Sequence, residues 1–86
     1  MKNMHDLHVA DKVYKLIKEN AAQNGLQQVK IVEINLGSIV EHGADISAEN
    51  LDFNLRTIGS ELLSPDAQIK INKVEGNDWE LVSISG

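Results

Sequence analysis

Val29-Lys30-Ile31-Val32-Glu33-Ile34-Asn35-Leu36 alternates with the two-residue period of a β-strand. It sets Lys30, Val32, Ile34 and Leu36 on one face and Val29, Ile31, Glu33 and Asn35 on the other. A face holding Val32, Ile34 and Leu36 has to be covered, and the flanking segments supply the cover. Upstream, Leu7, Ala10, Val13, Tyr14, Ile17 and Ala21 recur at three- and four-residue steps, with Asp11, Lys12, Lys15, Lys18 and Glu19 opposite, so Leu7 to Ala22 is an amphipathic helix. Asn24-Gly25 follows its last periodic residue and ends it, because glycine takes the left-handed cap conformation without a Cβ clash.

Downstream, residues 38–46 contain Gly43, follow Gly37 and keep no period, which reads as a loop. Ser47 then has N-cap chemistry, and Glu49 stands in the first turn, where the helix dipole favours negative charge. Leu51, Leu55, Ile58 and Leu62 form the stripe of a second helix that ends near Gly59 or runs on to Leu63, with Ser64-Pro65-Asp66 as the final stop. Ala67–Glu75 and Trp79–Ser85 are two further strands, the second facing inward with Val82 and Ile84 or with Trp79 and Leu81. Gly76-Asn77-Asp78 between them has the composition of a hairpin turn.

The expected fold is α+β, a single domain over residues 1–86 in the order helix-strand-helix-strand-strand. It is a three-stranded sheet with two helices packed on one face. The strand-helix-strand unit calls for a parallel first and second strand, with the third antiparallel and placed between them.

At 86 residues, roughly 60–65% of the unfolded surface can be buried, which supports one modest core. The chain has no cysteine, so a thiolate zinc site and a disulfide are both excluded and no structural zinc is expected. No apolar run approaches the ~20 residues that span a bilayer, and the first residues lack a secretory apolar core, so the expected location is the cytoplasm, with no membrane partner. The net charge is −5. Glu41, Asp45, Glu49, Asp52, Glu61 and Asp66, opposed only by Arg56 across that span, carry all of it. The lysines are scattered singly, which excludes a phosphate-binding face and hence a nucleic-acid partner. The acidic segment is either a solvated face or a dock for a basic protein surface.

No nucleophile elbow, phosphate loop or catalytic cysteine is present, and nothing in the chain argues for an enzyme. The densest set of ligand side chains is His5, Asp6 and His8, whose imidazoles and carboxylate suit a divalent nickel, zinc or copper ion. His5 and His8 are three apart, on one side of a helix. The plain alternative is a solvated helix start. His42 beside Glu41 is a second such pair, more simply surface loop residues. Asp52 and Arg56 form a surface pair on the second helix. Trp79 caps the hairpin's core or, if exposed, anchors a partner.

Several short runs resemble the HypA hydrogenase-maturation family. Met4-His5-Asp6-Leu7 is similar to its Met-His-Glu-Leu start, and Leu36-Gly37 to the end of its first strand. Leu51-Asp52-Phe53-Asn54-Leu55 looks like its second helix, Ala67-Gln68-Ile69-Lys70-Ile71 like its next strand, and Gly76-Asn77-Asp78-Trp79-Glu80-Leu81-Val82-Ser83-Ile84 like its last. In that family the last strand follows a zinc module built on two Cys-x-x-Cys pairs, which this chain replaces with a short turn.

The resemblance implies a nickel metallochaperone that works with a maturation GTPase and the hydrogenase large subunit. It implies a nickel site at Met4, His5 and Asp6, to which helical spacing adds His8 as a reserve ligand. Two departures stand against the family's pattern. Asp6 replaces a glutamate, and His5 is fifth rather than second, so either the working chain starts at Met4 or the site has changed. The alternative function is a metal-free protein-interaction module that retains the HypA-like fold.

Overall fold

The computed structural model describes residues 5–41 and 44–86, with side chains described throughout except at 5–8, 40, 41 and 44. Its elements are α1 (His5–Gln23), β1 (Val29–Leu36), β2 (Val40–Glu41), β3 (Ala44–Asp45), α2 (Ala48–Ile58), β4 (Leu63–Lys73) and β5 (Trp79–Ser85).

α1 buries Val9, Ala10, Val13, Ile17 and Ala21. It ends as a Schellman motif: the Leu26 N–H donates to the Ala21 carbonyl at 2.9 Å and the Gly25 N–H to that of Ala22 at 3.3 Å. Gly25 takes the left-handed φ of 70° that this cap requires. α2 opens on Ser47, whose side chain accepts from the Asn50 N–H at 3.0 Å. The helix closes at Gly59, whose N–H donates to the Leu55 carbonyl at 2.8 Å.

α1 lies on α2 and against β5, and α2 lies against β4, so both helices cover one face of the sheet. Val32, Ile34 and Leu36 of β1 are fully buried beneath them with Ile17, Leu51 and Leu55. The fold is the expected α+β, with two helices and a three-stranded mixed sheet in the order α-β-α-β-β.

Strand order differs from expectation. β1 is central in the order β4-β1-β5, parallel to β4 and antiparallel to β5. The last two strands are therefore not a hairpin, and β5 does not lie between the other two. Neighbouring strands are about 4.8 Å apart, so a link that steps over an intervening strand must span about 10 Å, more than a two-residue turn reaches. The segment 74–78 crosses the end of β1 and is bonded to it. Val74 donates to the Leu36 carbonyl at 3.0 Å, Gly37 to Asp78 at 2.8 Å and Ser38 to Gly76 at 2.8 Å. The backbones approach so closely that a Cβ on Gly37 would stand 2.7 Å from the carbonyl oxygens of both Gly76 and Asp78.

Two irregularities set the register. Val29 pairs with Leu63 but Ile31 pairs with Gln68, so Ser64-Pro65-Asp66 bulges out of β4 instead of stopping a helix. Pro65 is exposed in this bulge, where a strand tolerates proline, which has no N–H to give to the ladder. Val29, placed before this shift, is fully buried although its alternation assigns it to the open face. In β5 the pairing shifts at Val82, between Glu33 opposite Ser83 and Ile34 opposite Leu81. Trp79 and Leu81 therefore face inward as a pair, opposite Leu36 and Ile34, while of the other set Ile84 sits opposite Val32 and Val82 is exposed.

The expected loop at 38–46 contains a small antiparallel ribbon, β2 with β3, extended by the Ile46 N–H bonded to the Ile39 carbonyl at 2.9 Å. Ser38 Oγ donates to Asp45 Oδ1 at 2.9 Å across it.

Candidate functional site

The proposed amino-terminal ligands lie at the start of α1. His5, Asp6 and His8 are in its first turns as backbone. Their side chains, and all of Met4, lie outside the described residues, as does His42. Among the described residues no cluster of three or more His, Cys, Asp or Glu stands ready to hold a metal.

The described surface has a different concavity. α2 leaves the outer side of β4 only partly covered, and a groove of about 390 Å³ opens there between Ala48, Glu49, Asp52, Phe53 and Arg56 of the helix and Ile69 and Ile71 of the strand. Ile69 and Ile71 pair with Val32 and Ile34, so they belong to the helix-covered face, yet at the sheet's margin they remain half-exposed. Phe53 is 68% exposed on the groove's lip. It stands off the Leu51-Leu55-Ile58 stripe, and that mismatch of a large apolar ring with the polar side of a helix is the sequence signal that would have found it.

Arg56 organises the groove floor. Its Nε donates to Asp52 Oδ1 at 2.5 Å, and its Nη1 to the Ala67 carbonyl at 2.8 Å. The expected surface ion pair is thus partly buried and also ties α2 to β4. At the nearby bulge, the Ser64 hydroxyl donates to Asp66 and holds its carboxyl below the usual range, helped by a backbone hydrogen bond and by Lys30. Beside the C-terminal end of α2, burial and then the Glu61 charge push the Tyr14 phenol up, and Lys18 Nζ lies 5.5 Å from its ring centre. The open face of the sheet carries polar side chains beside the exposed Ile31. Asn72 Nδ2 donates to Glu33 Oε2 at 2.9 Å and to Asn35 Oδ1 at 3.1 Å, a ladder across β4 and β1 that Asn35 Nδ2 extends to Glu80 Oε1 of β5 at 3.5 Å.

No known protein-family profile matches the chain. Two curated proteins are similar to it, the hydrogenase maturation factors HypA of Rhizobium leguminosarum bv. viciae and of Azotobacter chroococcum mcd 1. Each is 26% identical over 76 residues that make up 88% of this chain. The chain spans 64% of the length of each of these relatives. In fold it resembles the solution structure of the Ni metallochaperone HypA from Helicobacter pylori, with a TM-score of 0.71 and 16% identity over 94% of this chain and 96% of that one. No helix among the described residues is long and apolar enough to cross a membrane. In sequence over most of its length, and in the arrangement of its helices and strands, this chain is HypA-like.

Proposed function

We propose that this chain is a HypA-like accessory protein for hydrogenase maturation, binding Ni(II) at its amino terminus and passing it on. The observation that carries the reading is Met4-His5-Asp6-Leu7-His8 at the head of α1, in a chain whose relatives are named hydrogenase maturation factors. A chain beginning at Met4 offers its terminal amine, the His5 amide nitrogen and the His5 imidazole as in-plane donors, the tetragonal nitrogen set that Ni(II) prefers, with Asp6 as oxygen donor and His8 in reserve. Imidazole binds metal only when neutral, so protons compete with the metal and affinity falls as pH drops. The maturation GTPase and the hydrogenase large subunit are the proposed partners, in the cytoplasm, and no zinc module is needed for the domain to fold.

Isothermal titration of Ni(II) into forms starting at Met1 and at Met4 tests the reading. Binding tighter than about 1 mM, equivalent to about 4 kcal/mol, is expected in at least one form. Weaker binding in both removes the metallochaperone function. The second reading, a metal-free interaction module, is favoured by the groove with exposed Phe53, which has no part in metal binding.

A further inference from the structure

We infer that the groove between α2 and β4 receives an extended segment of a partner protein, apolar with a basic centre, which adds to the sheet as a strand beside β4. The inference does not depend on nickel binding at the amino terminus.

β4 is an edge strand, hydrogen-bonded to β1 on one side, and among the described residues no strand lies on the other. From Gln68 to Lys73 it runs in unbroken register with β1, so its outer backbone groups form a regular template for another strand. The opposite edge is unsuited, because β5 is interrupted by the bulge at Val82. The Ala67 carbonyl at the start of the β4 edge already accepts from the Arg56 guanidinium, so a donor from the groove side reaches this strand.

A helix running beside an open strand edge is the arrangement in which strand addition gives affinity through main-chain bonds and specificity through alternate side chains. Here the alternate side chains on the helix side would meet Ile69, Ile71 and the Phe53 ring, which selects apolar residues. Glu49 is on the same lip, while the Asp52 charge is matched by Arg56. The charged residues of the groove lining are Glu49, Asp52 and Arg56, which leaves the groove a net negative charge. A basic residue between the apolar ones therefore fits, and a second copy of this acidic chain does not. On the open side of β4 the added strand would run beside Lys70, opposite Glu33 in the ladder, where neutral polar residues fit.

The probe is a seven-residue peptide with valine, arginine and valine at alternate positions, flanked and separated by threonines. It is titrated into the full isotope-labelled chain while backbone amide resonances are followed. The expected shifts are confined to residues 67–73 and 48–56. Replacing the peptide's arginine by glutamate, or Phe53→Ser in the protein, weakens binding by at least about fivefold, roughly 1 kcal/mol. Phe53→Ser leaves the thermal midpoint unchanged, because the ring is 68% exposed. Shifts along β5, equal binding of both peptides, no shifts at millimolar peptide, or the same shifts from self-association alone would each overturn the inference. Nickel titration of the same Phe53→Ser protein keeps the two sites separate, since its nickel affinity should be that of the parent.

Discussion

Gly37→Ala probes the feature that distinguishes this sheet from a hairpin. A Cβ there would stand 2.7 Å from the Gly76 and Asp78 carbonyl oxygens and 2.9 Å from the Gly76 carbonyl carbon. All three are backbone atoms, so no rotamer change relieves the clash and the 74–78 connection must lift off the end of β1. That movement breaks the two 2.8 Å hydrogen bonds from Gly37 and Ser38. At about 1 kcal/mol net for each bond, plus partial uncovering of Leu36 and Trp79, the loss is about 2 to 3 kcal/mol. For a chain of this size that corresponds to a fall in Tm of roughly 8 to 24 °C. Urea unfolding followed by Trp79 fluorescence reads it as a lower midpoint at unchanged slope. A loss below about 0.5 kcal/mol would refute the reasoning, because Gly37 would then be remote from the turn, as it is in a β4–β5 hairpin.

Other consequences are as direct. Arg56→Met should cost about 1 to 2 kcal/mol in thermal unfolding, more than a solvated ion pair, because the Ala67 carbonyl loses its donor as well. The lowered Asp66 pKa means that its contribution is present above the ordinary carboxylate range and is lost as pH falls through the folded value. Ser64→Ala should therefore flatten the acid limb of the stability profile below about pH 4 while leaving its shape near neutrality unchanged. Addition of a chelator should leave the thermal midpoint where it is, as expected of a core of Ile17, Ile34, Leu36, Leu51 and Leu55 in a chain without cysteine; a substantial fall would restore structural metal to the account.

The elements were legible in the sequence because each obeys a local rule. The Leu7–Ala22 periodicity, the Asn24-Gly25 stop and the Ser47 cap all have their counterparts in the structure. What escaped were relations between elements. The 76–78 turn composition suits a hairpin, and only the pairing of both outer strands with β1 shows that it is a crossing. Pro65 has the signature of a helix stop, whereas α2 has already ended at Ile58 and the proline occupies a bulge. The Val82 bulge changes the phase of β5, which left two inward sets undecided at the level of alternation. Of the candidate sites, the amino-terminal cluster was visible as residue types in close succession. The α2–β4 groove was not, because Phe53, Ile69 and Ile71 come together only through the fold.

The central claim, that this HypA-like chain handles nickel through His5, is met most directly by Ni(II) titration of His5→Ala beside its parent, both starting at Met4, with thermal unfolding recorded on the same samples. The account predicts a loss of affinity of at least about tenfold, or about 1.4 kcal/mol, with stability changed by no more than about 0.5 kcal/mol. Unchanged nickel affinity in a fully folded His5→Ala protein would contradict it, and a large loss of stability would make His5 a structural residue instead of a ligand.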